Sequence, residues 1–139
     1  MKSIVTILIS ALTLLSTALA KDAPDTTGAG SNYKNIDAKA AIALTSSKEA
    51  ADLVILDVRT PDEYAEGHCA KARLIDAFDP KFAEKLAALD KDAPYLLHCA
   101  SGGRSIPVFE KMKALGFKEV YHLDGGFSAW EKAGGKVEK

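Results

Sequence analysis

Residues 97–105 read LHCASGGRS. The apolar run Tyr95 to Cys99 has the character of a strand and ends in the cysteine. From Ser105 to Leu115 the pattern is helical, and Gly116 is a C-terminal stop. The stretch is therefore a strand-to-helix turn. Gly102 and Gly103 let the backbone curl so that successive N–H groups point inward, and such a nest binds anions. The N-terminus of the following helix adds partial positive charge, and Arg104 adds a full one. A thiol held there has a lowered pKa and is partly thiolate at neutral pH, which describes an activated nucleophile. The pattern C-x-x-G-x-R by itself fits a buried cysteine before an ordinary capping turn equally well, so the flanks decide.

Working outward, strands and helices alternate. Tyr33–Ile36 reads as a short strand, and Asp37 N-caps a helix running through Leu44. Leu53 to Val58 is a continuous apolar run, as expected of a strand covered on both faces. In the TPDE that follows, Thr60 is an N-cap, Pro61 the first helical residue and Glu63 the partner in a capping box; this short helix ends at Gly67. Ala72–Ile75 is a further strand, and Asp79-Pro80 opens a helix with Phe82, Leu86 and Leu89 on one stripe. Beyond the turn, Val120–Leu123 is a strand and Phe127–Ala133 a last helix. Such alternation predicts an α/β fold with a central parallel sheet of about five strands and helices on both faces. Ligands of such sheets bind at the carboxyl ends of the strands, where Cys99 lies.

The N-terminus begins with Lys2, continues with the mostly apolar run Ile4–Leu15 and reaches the small-x-small site Ala18-Leu19-Ala20. This is the pattern of a secretory signal peptide over residues 1–20, cleaved after Ala20. The apolar core is shorter than the roughly 20 residues that span a bilayer, so no membrane anchor is expected after cleavage. Residues 21–32, polar and containing Gly and Pro, read as a flexible leader, and residues 33–139 as one domain. The expected location is periplasmic or secreted. The formal net charge is −1, and loss of Lys2 makes the remaining chain slightly more acidic. With no basic block, nucleic acid is a poor candidate partner.

Three segments stand in order: DVRTPDEYAEGH (57–68), LHCASGGRS (97–105) and LDGGFSAW (123–130). With them the chain resembles the single-domain rhodanese family of sulfurtransferases over roughly residues 33 to 135. The resemblance implies that Cys99 is the catalytic nucleophile. It would accept a sulfane sulfur from thiosulfate or a persulfide and pass it to cyanide, a small thiol or a protein thiol. The loop amides of Ala100, Ser101, Gly102, Gly103, Arg104 and Ser105 would cradle the persulfide. No cofactor and no metal are implied. Thiosulfate:cyanide rhodaneses place basic residues just after the cysteine; here those positions are Ala100 and Ser101, so thiosulfate binding is expected to be weak.

The remaining polar residues have quieter readings. Asp57 and Arg59 end a strand on the same edge as Cys99. They read first as a structural ion pair and second as groups that orient the loop or touch substrate. Glu63 reads mainly as the capping-box residue, and Trp130 as core. His98, adjacent to Cys99 on a strand, faces the other side of the sheet; His68 bonds locally and His122 lies in a strand. None of the three histidines is expected to serve Cys99 as a base.

Three rival readings stand beside the enzyme. A cysteine phosphatase needs C-x5-R, hence arginine at position 105, where this chain has Ser105. A non-catalytic rhodanese-like module would bind or carry sulfur without turnover. A structural disulfide would join Cys69 to Cys99, but the two are expected at opposite edges of the sheet. A five-residue strand spans roughly 16 Å, whereas a disulfide needs Cα atoms within about 7 Å. Cys69 is therefore read as a small buried hydrophobe.

Overall fold

The computed structural model describes residues 30–139. The expected signal peptide (1–20) and nearly all of the expected leader (21–32) lie outside the described residues. Five strands form a parallel sheet: β1 (Asn32–Ile36), β2 (Val54–Asp57), β4 (Arg73–Leu74), β5 (Pro94–His98) and β6 (Glu119–Leu123). Their spatial order is β1-β6-β5-β2-β4. The helices are α1 (Ala38–Ser46), α2 (Pro61–Glu66), α3 (Phe82–Ala87), α4 (Ser105–Ala114) and α5 (Gly126–Lys132). They divide between the two faces, as the alternation predicts. Leu86 of α3 and Val108, Phe109 and Met112 of α4 close one core with Leu97 and Cys99. Ala38 and Ala41 of α1 and Phe127 and Trp130 of α5 close the other with Leu96 and Cys69. The central strands are apolar on both sides because both faces are covered. Leu56, Leu96 and Leu97 are completely buried, each contributing about 2 kcal/mol of burial.

Local signals act as read at most ends. Asp37 accepts from the Ala40 amide at 2.8 Å. Thr60 and Glu63 make the reciprocal capping box. The third helix begins at Phe82, later than Asp79-Pro80 suggests. The Asp79 carboxylate takes the Lys81 amide at 2.8 Å and the Asp79 carbonyl takes the Phe82 amide, so the chain turns once before the helix starts. The strand expected over Ala72–Ile75 shrinks to Arg73–Leu74, at the edge of the sheet. Two elements have no clear sequence signal: a 3₁₀ turn at Lys48–Ala50, and an antiparallel ribbon of β3 (His68–Cys69) with β7 (Val137–Glu138).

Register places the chemistry. On the parallel ladder His98 is the partner of Asp57, and His122 is the partner of both Leu97 and Asn35. Strand parity then puts His98 with Asp57 on the α5 face, and His122 with Asn35 beneath α4.

Candidate active site

Cys99 follows the last residue of β5, and its loop ends where α4 begins at Ser105. The thiol lies inside the loop and is fully buried. The Gly102 amide donates to Cys99 Sγ at 3.2 Å, and the Ser105 hydroxyl lies 3.3 Å from it. Burial alone pushes the thiol pKa up. The Ser105 hydroxyl and the amides of Ser105, Gly102 and Ser101 outweigh it, and the thiol rests below its ordinary value. The curl depends on Gly102, whose φ is 101°. Gly103 has no positive φ and open space around it, so the expectation that both glycines bend the loop is corrected to one.

A second segment holds the loop from beside. The Phe127 amide donates to the Cys99 carbonyl at 2.8 Å and the Ser128 amide to the Ala100 carbonyl at 3.0 Å. A Cβ on Gly126, whose φ is 59°, would stand 2.5 Å from the Cys99 carbonyl oxygen. The GG of LDGGFSAW is therefore a close-approach device: the start of α5 docks its amides onto the carbonyls of the cysteine loop. Trp130 is core, its Nε1 donating to the Lys136 carbonyl.

Arg104 forms a two-pronged pair with Glu63, Nη2 to Oε1 at 2.6 Å and Nη1 to Oε2 at 2.9 Å. The guanidinium holds the Glu63 carboxyl at about 2, helped by the Thr60 amide and hydroxyl and opposed by burial. Glu63 thus does more than cap α2; it occupies the loop's one full positive charge. A carboxylate partner for Arg104 is one of the two roles its charge allows, the other being to bind an anionic donor, but nothing in the sequence singles out Glu63, 41 residues away.

Asp57 and Arg59 form a buried ion pair at 2.7 Å, and Arg59 also donates to the Gly67 carbonyl at 2.7 Å. The guanidinium lies over the Phe127 ring. The pair thus ties β2 to the helix whose amides hold the cysteine loop, rather than reaching the thiol. Behind it, His98 Nε2 stands 3.8 Å from the Asp57 carboxylate with no hydrogen-bond partner, and burial lowers the ring's pKa. His68 stacks on Tyr64 and bonds its carbonyl through Nδ1.

His122 departs from expectation. Its Nε2 lies 2.7 Å from Ser105 Oγ, the hydroxyl that touches Cys99, and its Nδ1 lies 2.9 Å from Asn35 Oδ1. A histidine thus reaches the thiol through one intervening group. Only the pairing of β6 between β1 and β5 brings these residues together.

Both cysteines are free thiols, in the two separate cores. A cavity of about 480 Å³ lies beside the amino end of β2, lined by Thr45, Lys48, Leu53, Lys71, Trp130 and Lys136 among others. It includes no residue of the cysteine loop, so we place the chemistry at the loop.

Comparison with known proteins agrees with this geometry. The profile of the rhodanese-like domain family matches residues 38–133. A curated relative, thiosulfate sulfurtransferase GlpE of Coxiella burnetii, is 41% identical over 80 residues, covering 58% of this chain and 73% of its own. A solved structure of a rhodanese-related protein from Thermoplasma volcanium superposes with a TM-score of 0.66 at 28% identity, over 76% of this chain and 98% of that one. Another, from Rhodopseudomonas palustris, is a protein of unknown function described as a possible tyrosine phosphatase; its TM-score is 0.62 at 30% identity, over 76% and 85% of the two chains. The chain belongs to the rhodanese-like domain family and is a sulfurtransferase of the rhodanese type.

Proposed function

We propose that Cys99 takes the outer sulfur of a low-charge persulfide and hands it to a thiol or cyanide, in an exported protein. The observation that carries this reading is the setting of Cys99 Sγ among the Gly102 amide and the Ser105 hydroxyl. The thiolate attacks the outer sulfur of R–S–S⁻; the donor S–S bond breaks and its electron pair leaves with R–S. The new sulfur stands about 2 Å beyond Sγ, inside the ring of loop amides, which suits a soft anion. An acceptor nucleophile then attacks that sulfur and expels the Cys99 thiolate. Both steps are two-electron displacements and need no further oxidant or reductant.

Two features favour a low-charge donor. The loop positions after the cysteine are the neutral Ala100 and Ser101, and Arg104 is engaged by Glu63. The dianion of thiosulfate therefore meets no free cation in the loop. Beside it, the exposed Phe78 lies near the Arg104 guanidinium, and the exposed Ile106 follows Ser105. These apolar groups suit a thiol or persulfide borne on a larger molecule. The name of the Coxiella relative favours thiosulfate as the second reading. A phosphatase reading gains nothing from the loop, where Ser105 stands at the position that C-x5-R gives to arginine. Export rests on the pattern of residues 1–20, and N-terminal sequencing of the fractionated native protein tests it.

The test of the chemistry is intact mass before and after a persulfide or thiosulfate, then after cyanide. We expect a gain of one sulfur atom from the persulfide, its loss to cyanide, and a higher kcat/KM for the persulfide than for thiosulfate. Failure to gain sulfur from either donor would defeat the enzymatic reading. Gain without turnover would leave a carrier.

A further inference from the structure

Ser105 has one hydroxyl proton and three acceptors around it: His122 Nε2 at 2.7 Å, Gly102 O at 3.2 Å and Cys99 Sγ at 3.3 Å. It serves one of them at a time. When Cys99 is a thiolate, the hydroxyl stabilises it by donating to sulfur. The His122–Ser105 contact then survives only if His122 Nε2 carries a proton and donates to Oγ. The other ring nitrogen faces Asn35 Oδ1 at 2.9 Å, an acceptor, so Nδ1 carries a proton as well. Both nitrogens protonated means an imidazolium.

We propose that His122 is a positioning residue that holds the Cys99 proton: the thiol ionises by passing it through Ser105, forming a thiolate–imidazolium pair. The S–H bond of Cys99 breaks and its proton bonds to Ser105 Oγ, while the hydroxyl proton of Ser105 moves to His122 Nε2. Two neutral groups become an anion and a cation, and the net charge of the site is unchanged. Asn35 holds the ring orientation through Nδ1–H.

The surroundings of His122 fit a cation that exists only together with the thiolate. From α4 come Ser105 and the face of Phe109, whose ring centroid is 5.5 Å away. From β1 comes Asn35, and from the cysteine loop the Gly102 carbonyl and Cys99. Just past the end of its own strand stands Asp124, and on the far face of β5 lies the buried His98, whose pKa a charge on His122 helps to lower. Burial lowers the pKa of His122, against the pull of Asp124 and the Gly102 carbonyl. Alone the ring is therefore neutral at physiological pH; the adjacent thiolate supplies the missing stabilisation, and the two groups titrate as one unit.

The inference rests on Cys99 as the reactive thiol, but its readouts are proton positions, which stand apart from any assay of sulfur transfer. The experiment is ¹⁵N NMR of the histidine rings in the intact protein, with His122 assigned by His122→Gln, before and after Cys99 is capped with iodoacetamide. We expect the imidazolium signature of His122 at a pH where Cys99 is thiolate, and a neutral ring once the sulfur is capped. A neutral ring in both states, or a cation in both, overturns the proposal. In parallel, iodoacetamide reactivity against pH should show the Cys99 pKa raised by about one unit in His122→Gln, a tenfold loss of thiolate at pH values below it. Thermal melting confirms that the variant is folded. An unmoved pKa in the folded variant also overturns it. If His122→Gln does not fold, Ser105→Ala, which cuts the path between sulfur and ring, must leave His122 neutral at the pH where the wild-type ring is charged and Cys99 is thiolate; a ring that stays charged there overturns it.

Discussion

The two cysteines of this chain are equally buried and chemically opposite. Cys69 lies in the β3–β7 ribbon against the core of α1 and α5, and Cys99 in the loop before α4. Both have no solvent exposure. Cys69 is pushed up to about 12, first by burial and then by the negative charge of Asp57, with Arg59 partly opposing. Cys99 suffers the same burial and still falls below its ordinary value, because one hydroxyl and three amides converge on it. Depth in the fold therefore does not decide reactivity; the number of donors aimed at sulfur does. Three of those donors, beside the Ser105 hydroxyl, are backbone amides of the turn and the start of α4, available because the loop has left the sheet ladder. Around Cys69 the only amide among the leading groups that lower the thiol is its own; its strand is paired, and the Ala70 amide goes to the Lys136 carbonyl.

The comparison breaks most sharply by substitution at each sulfur. Cys99→Ser is expected to reduce sulfur transfer by about 10³-fold or more with an unchanged melting temperature, while Cys69→Ser keeps most activity. Steady-state kinetics beside thermal melting checks both, and equal loss at the two positions would replace the single-thiol mechanism with a two-thiol one.

The next largest effect concerns the clamp on the loop. Gly126→Ala drives a Cβ to 2.5 Å from the Cys99 carbonyl at a positive φ; we expect a destabilisation of about 2–4 kcal/mol and a deformed thiol site. Gly103→Ala meets nothing within 4 Å and has no positive φ, so it should change stability by about 0.5 kcal/mol or less. Urea unfolding of the pair reads the difference. A Gly126→Ala as mild as Gly103→Ala would show that the loop does not depend on its contact with α5.

Proton linkage gives a subtler contrast. Cys69 is raised in the folded state, so its contribution is fully present below the unfolded thiol pKa of about 8.5 and is lost as pH climbs from there towards about 12. Cys99 is lowered, so its contribution is lost as pH falls through the folded pKa and is fully present above about 8.5. Urea unfolding between about pH 8.5 and 10.5 should therefore fall less steeply in Cys69→Ala than in the wild type, by up to about 1.4 kcal/mol per pH unit. Iodoacetamide should modify native Cys99 with an apparent pKa below about 8.5 and leave Cys69 untouched. Matching pH profiles for the two thiols would end the contrast.

The smallest expected effect lies at the rim. Glu63→Gln keeps the capping box, since glutamine also serves at that position, but frees Arg104. Both side chains are about one-third exposed, and such pairs are worth about 1 kcal/mol or less. The KM for thiosulfate should fall by about two- to fivefold, with little change in the Cys99 pKa, because Arg104 is not among the leading groups that set it. A thiol pKa that moves while KM does not would make Arg104 the activator of the thiol.

Much of this site is local, and local features are legible in a sequence. The strand-to-helix turn around Cys99, the capping box at Thr60 and Glu63, and the alternation that makes the sheet parallel each depend on neighbours within a few residues. The chain's own backbone supplies the amides that activate Cys99, so LHCASGGRS suggests an anion-binding turn, and the flanking segments 57–68 and 123–130 single out the sulfurtransferase reading. What the tertiary structure alone decided depends on strand order and register. The placement of β6 between β1 and β5 puts His122 against Asn35 and beneath Ser105. The docking of α2 and α5 around the loop brings Glu63 to Arg104 and Gly126 to the Cys99 carbonyl. These partners lie 17 to 87 residues apart, from Ser105–His122 through Glu63–Arg104 to Asn35–His122. No propensity or spacing encodes such a pairing, because it is made by side chains that meet only after the sheet has chosen its neighbours.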